Sequence, residues 1–231
     1  MRRLRIAAAA ALLGLATVLA PVLAEAQEDY TARGLSVYAP RPVRAQRGGG
    51  PAAAAPAPVA QPAPTTAQAV AVRQKAQAML EERLPRRLTV RNTNTGEEVS
   101  VVYWVAGEYD SWELARIAQL LRDHHQHETV AIDWRLADLL WVLGRLTGGN
   151  TVHVHSGYRS EATNTYLAST NSGVASDSQH RHGKALDISF PGVSSRSIAG
   201  LAAALAWGGT GYYGDEGHVH VDVGPTRTWG F

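Results

Sequence analysis

A short segment near the C-terminus, residues 217–223, alternates strictly between polar and apolar side chains and limits the fold more than any other part of the chain. Its sequence is G-H-V-H-V-D-V. Such alternation is the pattern of a β-strand whose two faces meet different surroundings. Three valines share one face, and the other carries His218, His220 and Asp222. The sequence therefore predicts a sheet with a row of ionisable side chains opposite its apolar face.

A second alternating segment, residues 185–190, offers a neighbour for that strand. Its three bulky apolar side chains share one face, which leaves Asp187 on the other. His180 precedes Asp187 by seven positions, with a glycine between them to supply a turn. If the two strands pair, Asp187, His180 and one of His218 or His220 converge on one point, where two imidazoles and a carboxylate favour a divalent metal.

Taken singly, each of these histidines has the simpler interpretation of an ordinary surface or core residue. The whole set is harder to explain in that way, because packing gives no reason for an open polar face that carries His-x-His beside an aspartate.

Four motifs together resemble the murein endopeptidase K family. They are S-x-H-x-x-G-x-A-x-D at 178–187, S-G-Y-R-S at 156–160, G-G-T-G-Y-Y at 208–213 and H-V-H-V-D at 218–222. That family is similar, more distantly, to D-alanyl-D-alanine carboxypeptidases and to the zinc fold of hedgehog signalling domains. The resemblance covers most of residues 85–231, and the N-terminal third lies outside it.

The resemblance implies a fold and a metal site. The fold is α+β, with a small antiparallel sheet and helices packed on one side, as in hedgehog and DD-peptidase domains. The metal is Zn²⁺, held by His180, Asp187 and His220, since the family's V-H-I-D-like segment carries its ligand at the position of His220. Such a site keeps one position for a water molecule.

The resemblance also suggests roles around the metal. His218 is left for proton transfer, although many members of the family have an apolar or aromatic residue there, whereas the carboxypeptidase and hedgehog branches have H-x-H. Arg159, in the G-Y-R motif, would stabilise the developing oxyanion or bind a substrate carboxylate; a surface salt bridge is the alternative. Ser178 and Asp222 are candidates for orienting the imidazoles from behind.

The N-terminal third predicts export. Residues 1–26 run from arginines through an apolar stretch to A-E-A, the order of a secretory signal, with cleavage expected after Ala26. The apolar run is too short and too rich in alanine to favour a permanent membrane span; an uncleaved anchor is the alternative. Residues 27–84, with seven of the eleven prolines, predict a disordered linker with a helix over 68–84. The zinc peptidase domain is expected at 85–231, in the periplasm.

Charge and cysteine content exclude several classes of function. The formal charge is +2, but the predicted signal alone contributes three arginines and one glutamate, so the mature chain is neutral and nothing indicates nucleic-acid binding. There is no cysteine, which excludes disulfides and thiol catalysis and leaves nitrogen and oxygen as metal ligands.

The remaining segments predict ordinary elements. A hairpin is expected over 87–104, Ser111 and Asp133 are expected to cap two helices at their N-termini, and a last helix spans 197–207. Other tryptophans and histidines are assigned no role in the site. Trp112, Trp134 and Trp141 are interpreted as packing residues, with sugar stacking as the alternative. His124, His125 and His127 are predicted to lie in a solvated loop. His153 and His155 are predicted to be structural.

The sequence thus predicts a zinc-dependent murein endopeptidase that acts on peptidoglycan stem peptides during wall remodelling, with no protein partner predicted. A D,D-carboxypeptidase and a non-hydrolytic module that binds wall peptides are the alternatives. A mononuclear iron oxygenase also uses two histidines and one carboxylate. The six residues between His180 and Asp187 argue against it, since its first two ligands are usually H-x-D.

Overall fold

The computed structural model describes residues 65–171 and 173–231. The predicted signal and the linker as far as residue 64 lie outside the described residues. Within them, no helix has the length and apolar character needed to cross a membrane.

Five α-helices and eight strands make up the described part of the chain. The helices are α1 (Thr66–Glu81), α2 (Ser111–Leu120), α3 (Trp134–Thr147), α4 (Glu161–Thr170) and α5 (Ser195–Leu205). The strands are β1 (Arg86–Asn92), β2 (Glu98–Val105), β3 (Glu108–Tyr109), β4 (Val152–Ser156), β5 (Ala185–Ser189), β6 (Gly209–Tyr212), β7 (Val219–Asp222) and β8 (Arg227–Trp229). Two short 3₁₀ turns lie at Gln179–His182 and Gly214–Glu216.

Side-chain caps fix where the helices start. Asp110, not Ser111 as expected, caps α2, because its Oδ1 accepts hydrogen bonds from the backbone N–H groups of Trp112 (2.9 Å) and Glu113 (3.1 Å). Asp133 caps α3 as predicted, and α3 ends at Gly148 in the left-handed conformation, with φ of 75°.

All the strands form one sheet, in the order β3-β2-β1-β4-β5-β7-β6-β8. The α+β class is confirmed. The sheet is larger than expected and mixed, because β1 pairs with β4, and β6 with β8, in parallel. The first parallel pair arises because β3, which runs in the same direction as β1, is followed by α2 and α3 before the chain returns as β4 beside β1. Parallel strands need a long crossover of this kind.

One hydrophobic core lies on one face of this sheet. Helices α1, α2, α3 and α5 pack there against alternate residues of the central strands, among them Val90, Val154, Ile188 and Val221. Helix α4 contributes no residue to that core. The opposite face of β5 and β7 is thereby left for polar side chains, as the alternation predicted.

Helix α1 lies within the range predicted as linker and packs against the domain. Ala69, Ala76 and Met79 are buried, and Arg73 Nε donates a hydrogen bond to the carbonyl of Ala204 at the end of α5 (2.9 Å). The last part of residues 27–84 therefore contributes to the folded unit.

Candidate metal centre

Three buried side chains meet on the polar face of the sheet. Strands β5 and β7 are antiparallel neighbours, and their register sets Asp187 directly opposite His220. His180 reaches the same place from the 3₁₀ turn before β5. The distances are 3.1 Å from Asp187 Oδ1 to His220 Nδ1, 3.4 Å from Asp187 Oδ1 to His180 Nε2, and 3.2 Å between the two imidazole nitrogens.

The 3₁₀ turn that carries His180 is fixed at both ends. Its C-terminal cap, Gly183, has a φ of 62°. A Cβ at this position would lie 2.5 Å from the carbonyl oxygen of Ala131, so only glycine fits. The Nδ1–H of His180 donates to the carbonyl oxygen of Gly157 (2.7 Å). Because a carbonyl can only accept, the lone pair of His180 lies on Nε2, which faces Asp187.

His220 is oriented by a buried carboxylate. Its Nε2–H donates to Asp222 Oδ2 (3.0 Å), and Asp222 also accepts from the N–H groups of Gly209 and Gly224 (both 2.8 Å) and from Arg227 (2.7 Å). Burial raises the pKa of Asp222, but the hydrogen bonds from His220 and the two backbone N–H groups outweigh it and lower the pKa to about 2. Asp222 therefore stays ionised. Burial lowers the pKa of His220, but its hydrogen bonds to Asp187 and Asp222 outweigh burial and raise it. Since Nε2 is held by Asp222, Nδ1 is the atom that a cation would bind after displacing its proton.

Asp187 has one oxygen for the centre and one for an arginine. The guanidinium of Arg159 donates to Oδ2 (2.8 Å) and, through Nε, to Ser156 Oγ (2.9 Å). Burial raises the pKa of Asp187, but His180, His220 and Arg159 together hold the pKa well below its usual value. Asp187 is thus an anion whose free oxygen, Oδ1, points at the two imidazoles.

His180 Nε2, His220 Nδ1 and Asp187 Oδ1 converge on one point, and the outer nitrogens of both rings already bond Gly157 and Asp222. Acceptors that face one another repel unless a positive charge lies between them, so the donor set fits a divalent cation. Burial lowers the pKa of His180, which favours the neutral ring that binds a metal. Among the described residues this is the only group of three or more histidines and carboxylates close enough to share an ion.

Two other predicted residues lie near this centre in different ways. Ser178 Oγ accepts a hydrogen bond from the backbone N–H of His180 (3.4 Å), so its contact is with the main chain at the start of the turn rather than with the ring. His218 precedes β7, and its Nε2 lies 3.5 Å from a carboxylate oxygen of Glu216.

The predictions from sequence missed the surroundings of His218. Its ring contacts those of His155 (centroids 5.4 Å apart) and Tyr213 (5.2 Å). His155, predicted to be structural, also bonds Ser189 Oγ through Nε2 (2.8 Å). The signal for His155 was present, since T-V-H-V-H at 151–155 alternates as residues 217–223 do.

The loop that carries three further histidines has no metal-like geometry. His125 and His127 are exposed, and His124 is half-buried with Nε2 3.1 Å from the Asn92 side-chain nitrogen. Burial and the charge of Arg122 lower the pKa of His124. The described contacts agree with the prediction of a solvated loop for His125 and His127.

Comparison with known proteins agrees with this geometry. The profile of the family described as peptidoglycan L,D-endopeptidase MepK matches residues 81–229, which include the whole centre. Peptidoglycan L,D-endopeptidase MepK of Escherichia coli (strain K12) is 37% identical over 146 residues, which are 63% of this chain and 80% of the relative. A probable peptidoglycan L,D-endopeptidase MepK of Haemophilus influenzae is 35% identical over 154 residues, 66% of this chain and 83% of the relative.

Proposed function

Because the chain belongs to the peptidoglycan L,D-endopeptidase MepK family, we propose that it is a zinc-dependent metallopeptidase that hydrolyses peptide cross-links of peptidoglycan. The bond it cleaves joins an L-configured to a D-configured centre, as the names of its relatives state for them. The reaction serves wall remodelling or expansion. The single observation that carries the proposal is the convergence of three buried acceptor atoms, each fixed from behind by a hydrogen bond or an ion pair.

The spacing of those atoms supports zinc. Neighbouring ligand atoms in a tetrahedral site with bonds of about 2.0–2.1 Å lie roughly 3.3 Å apart. The separations among His180 Nε2, His220 Nδ1 and Asp187 Oδ1 are 3.1, 3.2 and 3.4 Å. Held by His180, Asp187 and His220, a zinc ion would lower the pKa of a bound water to about 7 and polarise the scissile carbonyl. Three protein ligands leave one position for that chemistry.

Arg159 is proposed to act on the substrate as well as on Asp187. Its contact with Asp187 Oδ2 leaves Oδ1 for the metal and fixes the guanidinium beside the ligand set. A fixed cation in this place stabilises negative charge on the carbonyl oxygen under attack, or binds a carboxylate of the stem peptide.

His218 is proposed as the group that takes the proton of the attacking water and returns it to the leaving amine. It lies two residues before His220 on the same strand face, so both side chains project to the polar side of the sheet. The rings of His155 and Tyr213 hold it on two sides, and its side chain is 18% exposed, so a substrate can reach it.

The cellular location is part of the same proposal. A polymer outside the cytoplasmic membrane requires export, and residues 1–26 have the order of a secretory signal. We place the mature chain, from residue 27, in the periplasm.

The test is digestion of purified peptidoglycan by the mature chain, with the released fragments read by mass. Hydrolysis of L,D cross-links is expected, and a chelator or the His220→Ala substitution should stop it. A His218→Phe variant should retain zinc and lose about 10²-fold in rate, the lower end for general acid–base catalysis. Metal analysis of the purified chain separates zinc from iron. A wild-type chain that binds the sacculus and leaves every cross-link intact is a binding module, and the proposal fails.

A further inference from the structure

A buried carboxylate outside the metal centre is tied to the segment that supports it. Asp123 follows α2 and is 3% exposed. Its Oδ1 accepts from the backbone N–H groups of His125 (2.8 Å) and Gln126 (3.3 Å), and its Oδ2 accepts from the backbone N–H of Ser160 (2.9 Å). Three main-chain donors from two separate parts of the chain therefore share one carboxylate.

Ser160 ends the segment 156–160, which supports the centre from behind. The Gly157 carbonyl fixes the ring of His180, and the Arg159 guanidinium fixes Asp187. The backbone N–H of Arg159 also donates to the carbonyl of His180 (3.3 Å). Two of the three ligands thus depend on where this segment lies.

The segment lies on the end of α2 and is attached there at two points. The backbone N–H of Tyr158 donates to the carbonyl oxygen of Leu121 (2.8 Å), and a Cβ on Gly157 would lie 2.5 Å from that oxygen. The second attachment is the Asp123–Ser160 hydrogen bond. Between the two attachments lies Arg159, so its position is set from both sides.

We propose that Asp123 is a positioning residue of the metal centre, which holds the 156–160 segment so that His180 and Asp187 present their lone pairs to one ion. The inference rests on the proposed metal centre. Asp123 acts through Ser160 and touches neither metal nor substrate.

The chemistry of the contact requires a carboxylate. Burial raises the pKa of Asp123, but the hydrogen bonds it accepts outweigh burial and lower the pKa below its usual value. An asparagine has one acceptor oxygen and one NH₂ donor. In either orientation its NH₂ would face a backbone N–H, from Ser160 or from the 125–126 turn, and would leave that donor unpaired.

The experiment compares Asp123→Asn with Asp138→Asn in the mature chain. Asp138 is buried to the same degree, 4% exposed, and bonds Arg86 and two tyrosines in the core. Zinc affinity is measured by competition with a chelating indicator, and hydrogen exchange of residues 157–160 is measured in the metal-free chain. Asp123→Asn should weaken zinc binding about 5-fold, less than the roughly 10-fold loss expected for a direct partner of a ligand, and speed exchange of the segment. Asp138→Asn should lower the melting temperature and change neither quantity.

A second pair of variants removes the donor instead of the acceptor. Ser160 has φ of −60°, which proline adopts, so Ser160→Pro deletes the N–H that Asp123 accepts, while Ser160→Ala keeps it. Both lose the Ser160 hydroxyl, which caps α4 (Ser160 Oγ to Thr163 N, 3.2 Å) and also hydrogen-bonds the Asp123 carboxylate. The proline should weaken zinc binding about 5-fold, and the alanine, which keeps the backbone N–H, should weaken it less.

Zinc affinity within twofold of wild type in Asp123→Asn, or an equal loss in Asp138→Asn, would overturn the inference. Neither readout uses peptidoglycan. A wild-type chain that fails to cleave the polymer therefore counts against the proposed function alone.

Discussion

Two buried arginine–aspartate pairs in this molecule have the same separation, yet only one of them is suited to hold a metal. Arg86 and Asp138 lie 2.8 Å apart in the core, and Arg159 and Asp187 lie 2.8 Å apart on the polar face of the sheet. In all four side chains no more than 16% of the surface is exposed. Burial and the ion pair are therefore not what distinguishes them.

The difference lies in the other partners of each carboxylate. Asp138 accepts from Arg86 and from the hydroxyl of Tyr103 on one oxygen, and from the hydroxyl of Tyr109 on the other (2.7 Å). Burial, followed by the charge of Asp138, raises the pKa of Tyr103 far above its usual value, so the phenol remains a donor. Asp187 has Arg159 on one oxygen and two imidazole nitrogens at the other. A carboxylate whose partners can only donate is a closed structural element, whereas one that faces two imidazole nitrogens can share a cation with them once their protons are displaced.

The largest effect is expected from Asp187→Asn, which breaks the Arg159–Asp187 pair. The variant loses the charged ligand and gives Arg159 no anion. Without the several kcal/mol that a bound metal contributes to the transition state, hydrolysis should fall by more than about 10³-fold. The assay is cleavage of a cross-linked peptide, beside the zinc content of the protein. Activity near wild type would mean that Asp187 is not a ligand.

Asp138→Asn breaks the Arg86–Asp138 pair and should lower the free energy of unfolding rather than the rate of hydrolysis. Arg86 would keep its charge while buried without an anion, although its guanidinium also lies 4.2 Å from the Trp104 ring. Breaking a buried pair in this way costs about 3 kcal/mol, measured by denaturant unfolding. Turnover and zinc content of the folded fraction should match wild type. A loss of zinc would show that the core and the centre are coupled across the sheet.

Arg159→Lys tests whether Arg159 does more than neutralise the charge of Asp187. An ammonium retains the charge but has no planar fork that reaches Ser156 and Asp187 together. Loss of one fixed donor to a developing oxyanion costs about 10²-fold. We expect that loss in turnover with zinc content unchanged. If lysine supports full activity, the role of Arg159 is limited to its charge.

The features that could be predicted from the sequence are those set by patterns within a few neighbouring residues. Alternation in β5 and β7 is a local property, so the side of the sheet on which Asp187 and His220 lie was predictable. The prediction that these residues converge depended on the two strands being neighbours, and the register of β5 and β7 shows that they are. The spacing of the motifs brought His180 to the same place.

Features that depend on which distant segments meet were not predictable in this way. The Asp138 cluster joins β1, β2, β3 and α3, and none of its residues stands out by periodicity. His155 contacts His218 because β4 and β7 lie on either side of β5, neighbour relations that no local pattern encodes. Ser178 was predicted to orient an imidazole, but its hydroxyl accepts from the backbone N–H of His180. Which of the two it meets depends on a side-chain rotation that motif spacing does not set.

The smallest effect is expected from Arg227, which contacts the centre through Asp222 and His220. Arg227 donates to Asp222 Oδ2 (2.7 Å), and Asp222 in turn orients His220. In Arg227→Ala the carboxylate keeps the backbone N–H groups of Gly209 and Gly224, so it stays ionised and in place. Zinc affinity should therefore fall by less than the roughly 10-fold expected when a direct partner of a ligand is removed. Asp222→Asn, which removes such a partner, is the comparison, measured by the same chelator competition. Equal losses in the two variants would mean that the charge of Arg227, and not only the geometry of Asp222, contributes to holding the metal.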